Sequence, residues 1–305
     1  MSATFEQLVV ALGSPAGDRA LITFASLLAR LGGSRVVHFV HVARAGADVV
    51  ALRDEIRAAV AAAAPDLQGR TEVDVLHGAL TDRLLAYVTE AEADLLVVGG
   101  RRRRLASRLA MVAPCAVAML PDGAEPRLSH LLVAVDFSHD AADTLRWATS
   151  LVAAARAMQC TALHVMTHES TDLFAVHETA EARTAAMREL LSAAHRPGVD
   201  VVPRLVEVDR DMSAHAGDFP LPSQIQHSDV AHTILGQVAA AGADCLALST
   251  RGRSRSASIL LGSVAELVIE HATVPLLVGK PAGRRLGLLD LLLGRAGASA
   301  AVKVS

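Results

Sequence analysis

The sequence predicts an α/β protein of two doubly wound domains, each built on a parallel five-stranded sheet. Continuous apolar runs, typical of strands buried on both faces, alternate with segments of helical periodicity. The same order of segments occurs twice in 305 residues, a length that suits two domains of about 150 residues. Hydrophobic residues form 52% of the chain but aromatic residues only 3%, so small aliphatic side chains must build the core.

The first half is predicted to hold five strands, with helices between the first four. Its opening strand is an unbroken apolar run, and the paired glycines Gly32 and Gly33 end the helix that follows. Pro65 ends the second helix. The strands are predicted over Leu8–Leu12, Val36–Val42, Glu72–Leu76, Leu95–Val98 and Ala116–Leu120, and the helices over Asp18–Leu31, Ala47–Ala64 and Leu80–Glu92.

The second half repeats this order and adds a helix before its last strand. Pro203 lies inside the third strand and indicates a position at the edge of the sheet, because proline cannot donate to a ladder of hydrogen bonds. The strands are predicted over Leu131–Val135, Thr161–Val165, Val201–Val206, Cys245–Leu248 and Val274–Val278, and the helices over Ala141–Met158, Glu178–Ala194, Ser228–Ala241 and Ser263–Glu270.

Composition divides the chain into domains of residues 1–121 and 131–280, with a linker at 122–130 and a tail at 281–305. Residues 209–226 are polar, contain two prolines and are interpreted as an inserted loop. The tail contains a short apolar piece, LGLLDLLLG, flanked by arginines. This piece could lie on a membrane surface or a partner, or be a plain docking segment or loose tail.

The loop after the fourth strand of the second half has the composition of a phosphate-binding loop. It is rich in Gly, Ser and Arg and leads into a helix that begins near Gly262 and Ser263. The first turn of a helix presents unpaired amides and a partial positive charge, which attract phosphate. Ser263 could cap the helix or donate its hydroxyl to a phosphate, and Arg251, Arg253 and Arg255 add positive charge. The alternative is an ordinary capped helix after a solvated loop.

This stretch resembles the nucleotide-binding signature of the universal stress protein family, written G-x2-G-x9-G-(S/T). The second glycine is Gly252, and nine residues separate it from Gly262, which Ser263 follows. Ser249 stands where the first glycine is expected, and serine restricts the backbone more than glycine does. The resemblance implies a role in stress survival and binding of ATP, or alternatively of AMP or ADP.

The segment LLVAVDFS, residues 131–138, resembles the first strand of the same family, which ends in an aspartate close to the adenine and ribose. Asp136 is the matching residue, and Val165 matches a valine that contacts the base. A simple turn-starting aspartate is the alternative. The resemblance thus implies a nucleotide site made of Asp136, Val165, Ser249, Gly252, Arg253, Gly262, Ser263 and Val264.

The first half departs from the signature at both places. Leu12 is interpreted as occupying the aspartate's place, and no Gly-Ser pair follows Gly99 and Gly100. About nine residues are inferred to be missing from the phosphate loop and its helix. The arginine run 101–104 could bind an anion but is more typical of a solvated loop. The first domain is therefore expected to be a degenerate copy that binds no nucleotide.

Composition and motifs also exclude several classes of function. The net charge of −3 and the scarcity of aromatic residues argue against a nucleic-acid partner. The histidines and cysteines lack zinc-site spacing, so no metal ligand is named and a metal with the nucleotide stays undetermined. No hydrolase elbow, P-loop or dinucleotide fingerprint occurs, and no catalytic residue is predicted.

The expected location is the cytoplasm. The three cysteines suit a reducing compartment, the N-terminus lacks the basic start of a secretory signal, and no apolar run is long enough to span a membrane.

The leading functional hypothesis is a ligand-responsive regulatory protein without enzymatic activity. The alternatives are a nucleotide-free interaction scaffold and a very slow ATPase. The family resemblance also implies pairing along fifth strands, which a tandem chain could form internally, and further homodimerisation is possible.

Overall fold

The computed structural model describes residues 5–14, 17–155, 158–166, 180–208, 222–249 and 262–280. In the first half, each predicted strand is present within one or two residues of its predicted bounds. The elements are β1 (Gln7–Leu12), α1 (Arg19–Gly32), β2 (Val36–Ala43), α2 (Val49–Ala63), β3 (Thr71–His77), α3 (Leu80–Glu90), β4 (Leu95–Gly99), α4 (Arg103–Val112) and β5 (Ala116–Leu120).

The second half follows the same plan. Its elements are β6 (His130–Ala134), α5 (His139–Ala154), β7 (Gln159–Met166), α6 (Ala180–Ala193), β8 (Val201–Glu207), α7 (Pro222–Ala241), β9 (Cys245–Ser249), α8 (Ser263–His271) and β10 (Leu276–Gly279). Residues 209–221 of the predicted inserted loop and the whole predicted tail lie outside the described residues. Residues 222–226, which were assigned to the loop, instead form the start of α7.

The ten strands form one continuous sheet in the order β3-β2-β1-β4-β5-β10-β9-β6-β7-β8. All neighbours within each half are parallel, which confirms the predicted α/β class. The two five-stranded halves do not stand apart, because β5 and β10 pair antiparallel, with Leu277 opposite Ala118. The fifth strands therefore pair inside one chain, as the tandem arrangement predicted.

Two apolar layers cover the faces of this sheet. One layer holds buried residues of α1, α2, α5 and α6, and the other holds buried residues of α3, α4, α7 and α8. Each layer thus combines helices from both halves. Strands covered on both faces must be apolar at successive positions, which explains why they appear in the sequence as unbroken apolar runs.

Matching aspartates anchor the two halves in the same way. The Asp94 carboxylate accepts hydrogen bonds from the amides of Glu6 and Gln7 at 2.7 and 3.0 Å. The Asp244 carboxylate accepts from the amides of Ser129 and His130 at 2.8 and 2.9 Å. In both halves, therefore, the residue before the fourth strand fixes the start of the first.

Helices α4 and α8 join the halves on one face of the sheet. The Arg103 guanidinium on α4 donates to the carbonyl oxygens of Ile269, Glu270 and Ala272 at the end of α8, at 3.2, 2.6 and 2.9 Å. In return, the Lys280 ammonium donates to carbonyl oxygens at the end of α4, those of Met111 and Ala113. Each half thus supplies a cation to the negative end of the other half's helix.

The presence of α4 corrects one sequence-based inference. The residues missing from the first half were assigned to the phosphate loop and its helix, but α4 has 10 residues and α8 has 9. The connection from β4 to α4 is only residues 100–102, whereas that from β9 to α8 spans residues 250–262. The shortening therefore falls on the loop alone.

Candidate functional site

The candidate site lies at the carboxyl ends of the strands of the second half. β6 is flanked by β7 on one side and β9 on the other, so the chain connections diverge at its end. Such a switch point is where doubly wound sheets bind ligands. Because β9, β6 and β7 are neighbours and parallel, Asp136, Val165 and Ser249 lie together at the carboxyl ends of these three strands.

A tight turn after β6 orients Asp136. One of its carboxylate oxygens accepts the amide hydrogen of Ser138 at 3.1 Å, and the Ser138 hydroxyl in turn accepts the amide of Ala141. Ser138 thereby caps the N-terminus of α5. Between them, Phe137 has φ of 60°, a left-handed conformation that is uncommon for a bulky residue. Backbone strain of this kind is concentrated at functional sites.

His164 supports this turn from β7. Its side chain is buried, and its Nδ1 lies 2.8 Å from the carbonyl oxygen of Val135. Because a carbonyl only accepts, Nδ1 carries the proton. The imidazole also contacts the ring of Phe137, with centroids 4.1 Å apart. Sequence reasoning considered His164 only among the histidines that were rejected as zinc ligands, and it did not single out Phe137.

The same histidine bond occurs in the first half, where His41 Nδ1 lies 3.0 Å from the carbonyl oxygen of Leu12. A histidine at the same point of β2 and β7 was the available sequence signal for this support.

Two other predicted residues flank the turn. Val165, the residue after His164, is half-buried and packs against the apolar layer of α7 and α8. Ser249 is the last residue of β9 and lies opposite Gly279 of β10. Gly279 is constrained by α5, because an added Cβ would lie 2.5 Å from the Thr144 hydroxyl. Helix α5 therefore packs closely against the carboxyl end of β10, beside Ser249.

The start of α8 faces the same edge, since the chain runs from the end of β9 through a loop into this helix. Gly262 is the N-cap residue and has extended backbone angles, and Ser263 begins the helix with an exposed side chain. Among the described residues, no side chain caps the first turn. Val264 packs against the apolar layer. Gly252 and Arg253 of the predicted site lie outside the described residues.

The first half shows why its equivalent edge differs. The strand register aligns Leu8 with Leu131, so the residue that matches Asp136 is Gly13 and not Leu12, which corrects the sequence alignment by one position. The amide of Gly13 donates to the Asp18 carboxylate at 2.6 Å. Gly13 has no side chain, and the carboxylate at this turn is that of Asp18, which is bound to the amides of Gly13 and Ser14.

The short connection after β4 is packed against the end of the first half. A Cβ added at Gly100 would lie 2.6 Å from Cα of Pro121, and the Arg101 side chain pairs with Asp122 at 3.3 Å. Arg103 is committed to the end of α8. Arg101 and Arg103 therefore make contacts within the fold, and Arg103 and Arg104 begin α4 instead of lying in a loop.

The described residues show few other reactive groups. All three cysteines are buried, and burial raises the pKa of the Cys115 and Cys160 thiols to about 12 and that of Cys245 well above its usual value. A thiol so poorly ionised is a weak nucleophile. Within the described ranges, no three His, Cys, Asp or Glu side chains cluster as metal ligands. No helix found there is long and apolar enough to cross a membrane.

Comparisons with known proteins agree with this architecture. A Pseudomonas aeruginosa protein of unknown function matches with a TM-score of 0.66 and 17% identity, over 95% of this chain and 98% of the other. A universal stress protein from Archaeoglobus fulgidus matches with a TM-score of 0.58 and 18% identity, over 91% of this chain and 97% of the other. At these identities the likeness shows the fold alone.

Sequence comparison gives a more specific result. No curated protein matches the chain. The model of the universal stress protein family, however, matches twice, at residues 4–116 and 128–280. The two matches fall on the two halves of the continuous sheet and together cover most of the chain. The chain therefore belongs to the universal stress protein family, as a tandem two-domain member.

Proposed function

We propose that the second domain binds an adenine nucleotide, ATP in the first instance and AMP or ADP as alternatives. The observation that carries the proposal is the convergence of two features at one edge of the sheet. One is a carboxylate, Asp136, held by the turn that caps α5. The other is the first turn of α8, whose amides no described side chain caps. A carboxylate suits a ribose hydroxyl or an exocyclic amine, and the helix start suits a phosphate.

The remaining residues complete this proposed site. Val165 would contact the base, and Ser263 would donate its hydroxyl to a phosphoryl oxygen. Ser249, Gly252 and Arg253 would belong to the loop that approaches the phosphates, and Val264 would set the start of α8 against the apolar layer. The proposal names no metal ligand.

We further propose that the protein acts by binding and not by catalysis. Hydrolysis of ATP needs a group that orients water at the terminal phosphate, and none of the described residues at the edge is placed for this role by any contact. Nucleotide binding would change what the protein contacts in a stress response. The cytoplasmic location and any homodimer stay predictions.

The first domain is proposed to serve as a structural partner that binds no nucleotide. It has Gly13 where the second domain has Asp136, and its connection from β4 to α4 is too short for a phosphate loop. The domain bounds of 1–121 and 131–280, with a linker at 122–130, remain part of this proposal.

Thermal melting with and without nucleotide tests the binding proposal. We expect millimolar ATP to raise the melting temperature of the wild-type protein, because a ligand that binds only the folded state stabilises it. Asp136→Ala and Ser263→Ala should each reduce the rise. Asp18→Ala in the first domain is the matched control, since Asp18 holds the corresponding turn of the half that is proposed not to bind.

Mass spectrometry of the small molecules released by denaturing the purified protein identifies the nucleotide. No released nucleotide, together with no shift in melting temperature, would leave the nucleotide-free scaffold as the better account. An ATPase rate that is equal in wild type, Gly262→Asp and Ser263→Ala would come from contamination. A rate lost in both variants would contradict the proposal of a non-enzymatic protein.

A further inference from the structure

The two ends of the ten-stranded sheet differ in whether another strand can be added. β3 is the end strand of the first half and β8 that of the second. Val73 of β3 lies opposite Phe39, and Pro203 of β8 lies opposite Ala162. These are equivalent positions, because the strand pairings align the two halves residue by residue. Pro203 thus occupies the place that Val73 has in the first half.

The hydrogen-bond pattern of β3 shows which of its backbone groups face outward. The Val37 amide donates to the carbonyl oxygen of Arg70 at 2.8 Å. In a parallel ladder, residues that bond the neighbouring strand alternate with residues whose amide and carbonyl face away. The amides and carbonyls of Thr71 and Val73 therefore point outward. Proline at this position lacks the outward N–H, so Pro203 blunts the edge of the second half while its pairing with β7 is kept.

An open groove of about 690 Å³ runs along β3, between this strand and α2. Arg53 and Arg57 line it from α2, and the four residues 71–74 line it from β3. The Nε atom of Arg53 is buried without a hydrogen-bond partner among the described residues. Arg57 lies 3.4 Å from Asp54 of the adjacent turn, and both side chains are exposed. The helix wall of the groove therefore carries positive charge.

The acidic residues of β3 do not neutralise this wall. The Glu72 carboxylate lies 3.1 Å from Nδ1 of His38, and Asp74 accepts a hydrogen bond from the Tyr87 hydroxyl at 2.6 Å. Tyr87 belongs to α3, which covers the opposite face of the sheet from α2. Side chains alternate between faces along a strand, so these carboxylates point away from the arginines.

We propose that the outer edge of β3 binds an extended acidic peptide segment of a partner protein by strand addition. The partner's backbone would pair with the outward groups of Thr71 and Val73, as in other edge-strand recognition. Arg53 and Arg57 are four residues apart on α2, about 6 Å along a helix. Alternate side chains of an extended strand are about 6.6 Å apart. Two carboxylates at alternate positions would therefore meet both arginines.

Fluorescence anisotropy with a short fluorescein-labelled peptide of alternating glutamate and valine tests this proposal. We expect saturable binding to the wild-type protein and at least about tenfold weaker binding of the same peptide with lysine in place of glutamate. Val73→Pro, which copies the residue of the second half, should weaken binding by about tenfold or more. Val73→Ala is the matched control and should retain binding, since it keeps the amide. Arg53→Glu combined with Arg57→Glu should abolish binding.

A second measurement keeps the test independent of the folding of Val73→Pro. The same acidic peptide with N-methyl groups at alternate residues cannot pair through those amides, and it should bind the wild-type protein at least about tenfold more weakly. Equal binding of the methylated and unmethylated peptides, or no binding by the wild type, would overturn the proposal. Concentration-dependent self-association that Val73→Pro removes would also overturn it, because the edge would then serve a second copy of this chain.

Discussion

At the scale of single residues, the contacts that fix the strand ends are short-range and polar, and the sequence pattern conceals most of them. Asp136 was predicted because the segment LLVAVDFS resembles the first strand of the family, which ends in an aspartate. Phe137 and His164 were not, because their ring contact joins residues 27 positions apart on different strands. The assignment of Leu12, instead of Gly13, as the counterpart of Asp136 has a similar origin. Only the strand register shows which residue of the first half occupies the position of Asp136.

Asp244 yields a residue-scale prediction about pH. Burial opposes ionisation of this carboxyl, but hydrogen bonds from the amides of His130 and Ser129 and from the Ser129 hydroxyl outweigh it and lower its pKa. A carboxyl whose pKa is lower in the folded state stabilises the fold above its unfolded pKa, about 4, and loses this contribution as the pH falls towards the folded value. Asp244→Ala should therefore cost about 1–3 kcal/mol at pH 7.

Urea unfolding of wild type and Asp244→Ala across the acid range measures this effect. The difference in the free energy of unfolding should be largest at neutral pH and shrink below about pH 4. Glu125→Ala is the control, because Glu125 is an exposed residue between β5 and β6 whose pairing with Arg127 is a surface contact. If the difference in the free energy of unfolding between wild type and Asp244→Ala stays constant with pH, the charge of the carboxylate contributes nothing to stability.

At the scale of secondary-structure elements, sequence patterns predicted the strands well and the last helix of the first half poorly. Buried parallel strands are continuous apolar runs that end at glycine, proline or polar residues, so their bounds are visible. Helix α4 was missed because the arginine run 101–104, whose last two residues begin the helix, was interpreted as a loop. Leu105 and Leu109 nevertheless have helical spacing, and Leu109 is buried. The positive charge is required there by a contact with the other half, which no local pattern reveals.

The cap at the end of α8 gives the element-scale prediction. Arg103 donates to three carbonyl oxygens that have no partner within their own helix end, and a charged donor strengthens such bonds. Arg103→Ala should destabilise the protein by about 2–3 kcal/mol, because it leaves these carbonyls with fewer donors and removes a favourable helix-end charge. Arg104→Ala, a neighbouring and exposed arginine of the same helix, should change stability by less than about 0.5 kcal/mol.

Thermal or urea unfolding of both variants decides the matter. An equal effect of Arg103→Ala and Arg104→Ala would mean that loss of charge on α4, and not the cap, is responsible. Arg103→Lys should recover part of the stability, since one ammonium can reach fewer of the three oxygens than a guanidinium fork.

At the scale of the whole molecule, the two repeats form one continuous structure and not two separate domains. β5 and β10 join the half-sheets. Arg103 of the first half donates to the end of α8, and Lys280 of the second half donates to the end of α4. Phe5 packs edge-on against Trp147 of α5, with ring centroids 5.4 Å apart. The apolar layers on both faces continue across the halves. Sequence reasoning predicted the joining of the fifth strands but not the two helix contacts, which depend on three-dimensional packing.

This continuity predicts a single cooperative unfolding transition, and Trp147 is the chain's one tryptophan with which to observe it. Its ring lies in the joint between halves, so its fluorescence reports separation of the halves, while circular dichroism reports the helices of both. If separating the halves exposes their shared core, neither half remains stable alone and the two signals should change at the same urea concentration. Val117→Pro in β5 should lower that midpoint for both signals together, because it removes an amide that faces β10. The Ala116 amide bonds the carbonyl oxygen of Asp94 on the β4 side, and amide directions alternate along a strand. A fluorescence change that clearly precedes the loss of helix would instead show halves that come apart while still folded. The proposed nucleotide site and the proposed peptide-binding edge of β3 would then belong to independent domains.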